Sequence, residues 1–224
     1  NYVSLLNGSI KTQVTTVMDS SDEFVRSYTS TLYLTDMYYR QSLMAYSQIE
    51  CDDAELDDIL KGVKSKVDED YTYQCNVLNR KWVDSLSKHN GFAKIGSAHH
   101  QQNFYKEFVA ANSTKTVVIV VDALRYELAQ ELLLLLAKDH NTAYMENMLA
   151  MVPTETKYCK SALLPHDTIG YNADGVVIDG QIVAGVDSRS RYLSNHVSEA
   201  EVIDFEKVFK FKDDEGKAYF KKNL

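Results

Sequence analysis

Two polar motifs in the second half of the chain contain residue types that can do hydrolytic chemistry. Asp122 directly follows an apolar, β-branched run over residues 116–121, and Thr156 ends the motif Pro153-Thr154-Glu155-Thr156. A carboxylate can hold a divalent cation, and a hydroxyl bound to such an ion becomes more acidic and more nucleophilic. Together the two residues predict metal-assisted nucleophilic chemistry.

The elements predicted around these residues would bring them together. Residues 116–121 are typical of a strand covered on both faces, and residues 143–152 form the next predicted strand, which Pro153 ends because proline has no N–H for the ladder. A leucine-rich helix over residues 125–140 joins them, and alternating strands and helices indicate a parallel sheet. Ligands of such sheets bind outside the carboxyl ends of the strands, so we expect Asp122 and Thr156 at one edge.

Each residue also has a purely structural explanation. Asp122 can cap the helix that begins near Leu124, and Thr156 can cap the short helix predicted over residues 156–164. A hydroxyl at that helix N-terminus would equally favour a phosphate or sulfate nearby, because the N–H groups there are unpaired and the helix dipole is positive. At this point both explanations stay open for both residues.

Composition narrows the classes of function. The 224 residues allow one large domain or two small ones, and the formal net charge of −8 gives no chain-wide basic surface for nucleic acid. Three cysteines without a CxxC motif predict neither a disulfide framework nor a structural zinc site, and favour a reducing cytoplasm. The leucine run over 132–136 is far shorter than the roughly 20 residues that cross a bilayer. The first residue is Asn1 and no signal peptide is evident, so we expect a piece of a longer protein.

The first half of the chain has a helical pattern. Ser20-Ser21-Asp22-Glu23 predicts the start of a helix that continues to about Ile49, and a second helix is expected from Asp52 to about Asn90-Gly91. A shorter helix is predicted over residues 101–111, whereas residues 1–18 fit either a strand or an extended arm. We therefore predict a helical module over 1–112 and an α/β domain over 113–224.

Two further signals lie near the end of the chain. Asp179-Gly180 stands between two short β-branched runs, which predicts a two-residue β-hairpin. Residues 213–224 have the charge pattern of the start of a helix. Residues 188–196 and 205–211 receive no firm assignment.

The segment VIVVDALRYE at residues 118–127, followed by VPTET at 152–156 and SALLP at 161–165, resembles the PglZ family. That family belongs to the alkaline phosphatase superfamily and is a component of bacterial phage-exclusion (BREX) defence systems. The resemblance covers roughly the last half of the chain, and DALRYE is its most distinctive string. It implies an α/β fold, in which part of an alkaline-phosphatase-like parallel sheet with flanking helices follows an α-helical module.

The resemblance assigns roles to particular residues. Asp122 is implied to bind a metal, and Thr156 to be the metal-bound nucleophile, preferred to Thr154 because the superfamily pattern Pro-[Ser/Thr]-x-Thr places the nucleophile second. The family core is expected to use two divalent ions, often zinc, held also by segments resembling YHNxID and ADHG. Neither segment occurs in these 224 residues. We therefore expect at most half of a metal site here, and little activity from this chain alone.

The implied function is metal-dependent hydrolysis of a phosphate ester, with phosphodiesters and nucleic acid among the candidate substrates. Implied partners are the methyltransferase and small accessory proteins of the defence system. Arg125 is a candidate contact for the substrate phosphate, because arginine presents a planar fork to phosphate oxygens, but it can equally pair with Glu127. The rival hypothesis is a non-catalytic assembly scaffold that keeps the fold with an incomplete site.

Overall fold

The computed structural model describes residues 1–16, 18–88, 91–139 and 142–223, which form a mixed α/β fold with a helical N-terminal region. The chain divides into two compact units. The first contains Asn1–Ala98 and Ala123–Asn147, and the second contains His99–Asp122 and Met148–Leu224. The domain boundary expected near residue 113 stays a prediction.

The first unit is helical in its described residues. Its elements are α1 (Tyr2–Thr15), α2 (Ser21–Ser27), a π-helical turn (Tyr28–Leu32), α3 (Tyr33–Ser47), α4 (Ala54–Lys88), a 3-10 turn (Phe92–Lys94) and α5 (Tyr126–Lys138). Residues 2–15, left open between strand and arm by the sequence, are helical. The predicted cap of α2 is confirmed, because Ser20 Oγ accepts the Glu23 N–H at 3.2 Å. The expected helix ends at Asn90 and His140 lie outside the described residues.

Aromatic contacts hold these helices together. Phe24 of α2 lies against Trp82 of α4 with ring centroids 5.0 Å apart. Tyr39 of α3 stacks on Tyr71 of α4 at 3.7 Å. These contacts join α2 and α3 to the long helix α4.

The second unit combines short strands and helices. Its strands are β1 (His99–His100), β2 (Met148–Leu149), β3 (Ile169–Asn172), β4 (Gly175–Ile178) and β5 (Gln181–Ile182). Its helices are α6 (Thr156–Cys159), α7 (Val186–His196), α8 (Phe205–Phe209) and α9 (Asp213–Asn223), with 3-10 turns at Gln101–Asn103 and Ser161–Leu163 and a π-helical turn at Tyr105–Val109. Strands β1 and β2 pair in parallel, and β3, β4 and β5 form an antiparallel sheet in that order. Its buried core consists of Met151, Ala162, Leu164, Val176, Ile178, Val183 and Tyr192.

The predicted hairpin is confirmed. Ile178 of β4 pairs with Gln181 of β5, so Asp179 and Gly180 form the two-residue connection. Both have positive φ, 47° and 76°, as the favoured two-residue hairpin turn requires.

The predicted strand over residues 116–121 is wrong for this structure. The segment has no regular secondary structure, and Ile119 is 71% exposed. An apolar parallel strand needs neighbouring strands for its backbone hydrogen bonds and cover on both faces, and none of the described strands pairs with this segment. The parallel pair forms instead between β1 and β2, and the strand predicted over 143–152 is reduced to β2.

Candidate active site

Asp122 faces a lysine from a later part of the chain. Lys160 Nζ lies 2.7 Å from Asp122 Oδ2, and the Asp122 side chain is 61% exposed whereas that of Lys160 is 25% exposed. The N-cap of α5 is Arg125, and no side chain caps it. The explanation of Asp122 as a helix cap is therefore wrong, and its carboxylate is available to a cation.

Thr156 is the first residue of α6 and is exposed. The N-cap of this helix is Glu155, so Thr156 is not the cap. The Lys160 N–H donates to the Thr156 carbonyl at 3.2 Å, which places the two residues one helical turn apart. Lys160, the C-cap of α6, therefore connects Asp122 to the helix that begins with Thr156.

One glutamine side chain, that of Gln101, bonds to the backbone on both sides of the Pro153-Thr156 motif. Gln101 Oε1 accepts the Met151 N–H at 2.9 Å, and Gln101 Nε2 donates to the Cys159 carbonyl at 3.1 Å. Beyond the loop, Ser161 Oγ donates to the Val183 carbonyl in a buried contact. These bonds hold the Pro153-Thr156 motif against the core of the second unit.

Arg189 of α7 is a partly buried cation of the second unit. Its Nε is buried and has no hydrogen-bond partner among the described residues. Burial lowers the pKa of the Arg189 guanidinium, and the Asp122 carboxylate acts on it in the opposite direction.

Neither Lys160 nor Arg189 belongs to the motifs from which chemistry was predicted. A signal was available for Lys160, because it follows Thr156 by four residues, and that spacing places two side chains on one helix face. No comparable signal pointed to Arg189, since residues 188–196 had no assignment. The burial of Arg189 depends on how α7 packs, which is a property of the tertiary structure.

Arg125 lies in the first unit, and its alternative role is confirmed there. Arg125 Nη2 is 2.6 Å from Oε1 of Glu127, whose side chain is fully buried. Arg40 of α3 approaches the same oxygen at 3.6 Å and also contacts Glu131 of α5 at 2.6 Å. A phosphate contact by Arg125 stays a prediction, and such a contact would compete with Glu127.

The described residues do not supply a complete metal site. No three His, Cys, Asp or Glu side chains among them converge on one point. His166, which follows Pro165, has its Nδ1 at 2.8 Å from the Leu164 carbonyl. Zinc centres take three or four protein ligands, so Asp122 and Thr156 do not hold a pair of zinc ions by themselves.

Comparison with known families identifies this region. The model of the BREX system PglZ alkaline phosphatase-like domain matches residues 102–223, more than half of the chain. The chain belongs to the PglZ family. The matched region contains Asp122, Thr156, Lys160 and Arg189, and the resemblance carried by the DALRYE and PTET strings is confirmed.

Two curated relatives extend the similarity into the helical region. The alkaline phosphatase-like protein PglZ of Bacillus cereus (strain H3081.97) is 27% identical over 190 residues, which is 82% of this chain and 22% of the relative. The alkaline phosphatase-like protein BrxZ of Escherichia coli O9:H4 (strain HS) is 28% identical over 212 residues, which is 88% of this chain and 24% of the relative. The chain thus spans under a quarter of the length of these relatives. No solved structure matches it significantly.

The helices of this PglZ chain give no sign of a membrane span. None of the helices in its described part combines the length and the apolar character needed to cross a bilayer.

Proposed function

We propose that this PglZ chain contributes to a metal-dependent phosphoric ester hydrolase of a BREX phage-defence system. In this proposal Asp122 is a metal ligand and Thr156 is the nucleophile. One observation supports it above the others: Asp122 pairs with Lys160, the C-cap of the helix that begins with Thr156. Family membership adds an alkaline phosphatase-like domain over the same residues.

The two proposed residues have the exposure that such chemistry needs. Both Thr156 and the Asp122 carboxylate are exposed, so a substrate can reach them. In the proposed reaction the Thr156 hydroxyl gives up its proton and its oxygen bonds to phosphorus, while the P–O bond to one ester group breaks and that group leaves, protonated, as the alcohol. Water then attacks the phosphorus bound to Thr156, which restores the hydroxyl and releases phosphate from a monoester substrate or a phosphate monoester from a diester.

The proposed cofactor is a pair of divalent ions, most simply two zinc ions as in the wider family. Such ions supply charge neutralisation and a lower hydroxyl pKa. Asp122 is the one carboxylate that we assign to them, because the described residues contain no larger ligand cluster. The remaining ligands are proposed to come from elsewhere in the intact protein.

The proposed substrates are phosphodiesters, with nucleic acid among them. The net charge of −8 means that any nucleic-acid contact is confined to a local cationic patch. The proposed partners are the methyltransferase and the small accessory proteins of the defence system. These assignments rest on family membership.

A non-catalytic scaffold is the second candidate function. It is favoured by the ion pair between Asp122 and Lys160, which gives the carboxylate a protein partner in place of a metal. The two candidates differ in whether the intact protein binds divalent metal at all.

The test uses the intact encoded protein, with bound metal measured by mass spectrometry and hydrolysis measured on bis(p-nitrophenyl) phosphate. We expect Asp122→Asn to lose metal, and Thr156→Ala to lose hydrolysis while keeping most of the metal. Thr154→Ala is the matched control and should stay active. An intact protein without any divalent metal would support the scaffold and refute the hydrolase, whereas loss of activity in Thr154→Ala alone would reassign the nucleophile.

A further inference from the structure

Gln101 bonds to two backbone groups that flank the Pro153-Thr156 motif, and all of these residues belong to the second unit. Its side-chain oxygen accepts the Met151 N–H at 2.9 Å, and its side-chain nitrogen donates to the Cys159 carbonyl at 3.1 Å. We propose that Gln101 is a positioning residue, which fixes the loop between these two groups and with it the proposed nucleophile, Thr156. The role in catalysis rests on the proposed hydrolase function, whereas the fixing of the loop rests on the two hydrogen bonds.

The amide of Gln101 continues the pairing of β1 with β2. The two strands pair in parallel through two residues each, and Gln101 directly follows β1. Met151, two residues past the end of β2, then bonds to the Gln101 side chain. Like a peptide unit, a side-chain amide carries both an acceptor and donors, so one glutamine can serve a loop N–H and a loop carbonyl together.

The loop that Gln101 closes has an exposed middle between two buried anchors. Residues 152–156 are exposed, whereas Met151 is buried in the core of the second unit. On the other side Ser161 is fully buried and its Oγ donates to the Val183 carbonyl. The Cys159 thiol lies 3.7 Å from the Met151 carbonyl, so the two ends of the loop are neighbours.

Fixing the Cys159 carbonyl also fixes Thr156, because the two residues are the last and the first of the four in α6. The Cys159 N–H donates to the Glu155 carbonyl at 2.9 Å, which closes this single helical turn. A nucleophile must be held close to its attack position, since a displacement of about 1 Å can cost about a hundredfold in rate. Gln101 thus acts on the reaction through the placement of α6.

Gln101→Met removes both hydrogen bonds and keeps a side chain of similar length. In the intact encoded protein we expect it to lower kcat for bis(p-nitrophenyl) phosphate at least about tenfold, because the nucleophile is less well placed. KM should change by less than about twofold, as expected when a variant affects the chemical step and not substrate binding. The protein should keep its bound metal, because Asp122 does not belong to the loosened loop.

Gln102→Met is the matched control, because Gln102 is the next residue in the chain and its side chain is exposed. Its kcat and KM should stay within about twofold of the wild type, as for most surface substitutions. Gln101→Glu is a second variant that keeps the acceptor for the Met151 N–H and loses the donor to the Cys159 carbonyl. It should lower kcat as well, and it tests the proposal if Gln101→Met does not fold.

Amide hydrogen exchange of the same intact proteins, followed by mass spectrometry, measures the loop independently of catalysis. Gln101→Met should speed exchange in the peptide that covers residues 151–159 by about fivefold, as loss of a hydrogen bond worth about 1 kcal/mol does. Exchange in α7, which belongs to the same unit, should not change.

Unchanged kcat in both Gln101 variants of an active enzyme would overturn the positioning role. Equally accelerated exchange in α7 would mean a general loss of stability in the second unit, and it would overturn the proposal too. A wild-type protein without any hydrolysis would refute the hydrolase instead. Faster exchange confined to the loop of Gln101→Met would then still support the fixing of the loop by Gln101.

Discussion

The ammonium of Lys160 lies 2.7 Å from the carboxylate of Asp122, although 38 residues separate them in the sequence. A protein cation thus stands beside the residue that we propose as a metal ligand. The contact also connects Asp122 to α6, the helix that begins with Thr156. Metal binding at Asp122 should consequently compete with the Lys160 ammonium.

Removing the Lys160 ammonium should strengthen metal binding at Asp122, because an incoming ion no longer competes with it. We expect Lys160→Met to raise the affinity of the chain for Mn²⁺ by up to about fivefold, since an exposed ion pair contributes at most about 1 kcal/mol. Asp122→Asn should lower that affinity. Electron paramagnetic resonance of free Mn²⁺ measures both changes, with the exposed Lys207→Met as control. Unchanged Mn²⁺ affinity in Asp122→Asn would mean that the carboxylate is not a ligand.

Removing the buried carboxylate of Glu127 should destabilise the first unit strongly. Glu127 is fully buried between Arg40 and Arg125, although its oxygens make no well-aligned hydrogen bond within the described part of the chain. Breaking a buried ion pair from one side leaves uncompensated charge, so Glu127→Ala should lower the free energy of unfolding by about 3 kcal/mol.

Glu131→Ala is the matched control for Glu127→Ala. Glu131 lies one turn further along α5 and pairs with Arg40 at 2.6 Å, but its side chain is 31% exposed. We expect a loss of about 1 kcal/mol, as for a partly exposed pair. Urea unfolding measures both variants, and equal losses would show that burial of Glu127 does not set the cost.

Asp179 should make the stability of the second unit depend on pH in the acid range. Hydrogen bonds from the Thr168 and Asp167 N–H groups and the Tyr192 hydroxyl lower the pKa of Asp179 to about 2. A pKa lower in the folded than in the unfolded chain means that the carboxylate stabilises the fold above about pH 4. This stabilisation is lost as the pH falls toward 2.

Asp179→Asn tests this dependence without disturbing the turn, because asparagine also tolerates the positive φ of 47°. We expect the variant to be less stable than the wild type by about 1 kcal/mol at pH 7. The difference should shrink between pH 4 and pH 2, as followed by thermal unfolding across that range. A stability difference between the two proteins that stays constant over this pH range would contradict a lowered pKa of Asp179.

Glycine should be favoured at position 123, directly after Asp122. Ala123 has a φ of 56°, a left-handed conformation that costs an L residue with a Cβ roughly 1 kcal/mol. Ala123→Gly should therefore stabilise the chain by up to about 1 kcal/mol. Ala129→Gly inside α5 should destabilise it by a similar amount, because glycine is unfavourable in a helix interior. Thermal unfolding measures both variants, and a change in stability of the same sign for both would contradict the strain at Ala123.

The features that the sequence predicted well are local ones. The Ser20 cap involves residues three apart, and the Asp179-Gly180 turn is decided by two residues that tolerate positive φ. The leucine-rich pattern correctly predicted α5, which begins at Tyr126, one residue after the predicted start. Each of these features depends on neighbours within a few residues.

The prediction of a strand over residues 116–121 was wrong for the opposite reason. Its composition is that of a buried parallel strand, but a strand exists only when other strands bond to it, and pairing is a property of distant segments. In this structure β1 and β2 pair instead, and the apolar run stays exposed.

The sequence by itself determined the family, through the DALRYE and PTET strings, together with the long helices α3, α4 and α5 and the hairpin. Tertiary structure alone decided which charges meet: Lys160 with Asp122, and Arg40 and Arg125 with Glu127. Helices and turns form through hydrogen bonds between residues close in the chain, so their patterns are visible in the sequence. The meeting of side chains far apart in sequence depends on how whole elements pack, and no short pattern of residues encodes that.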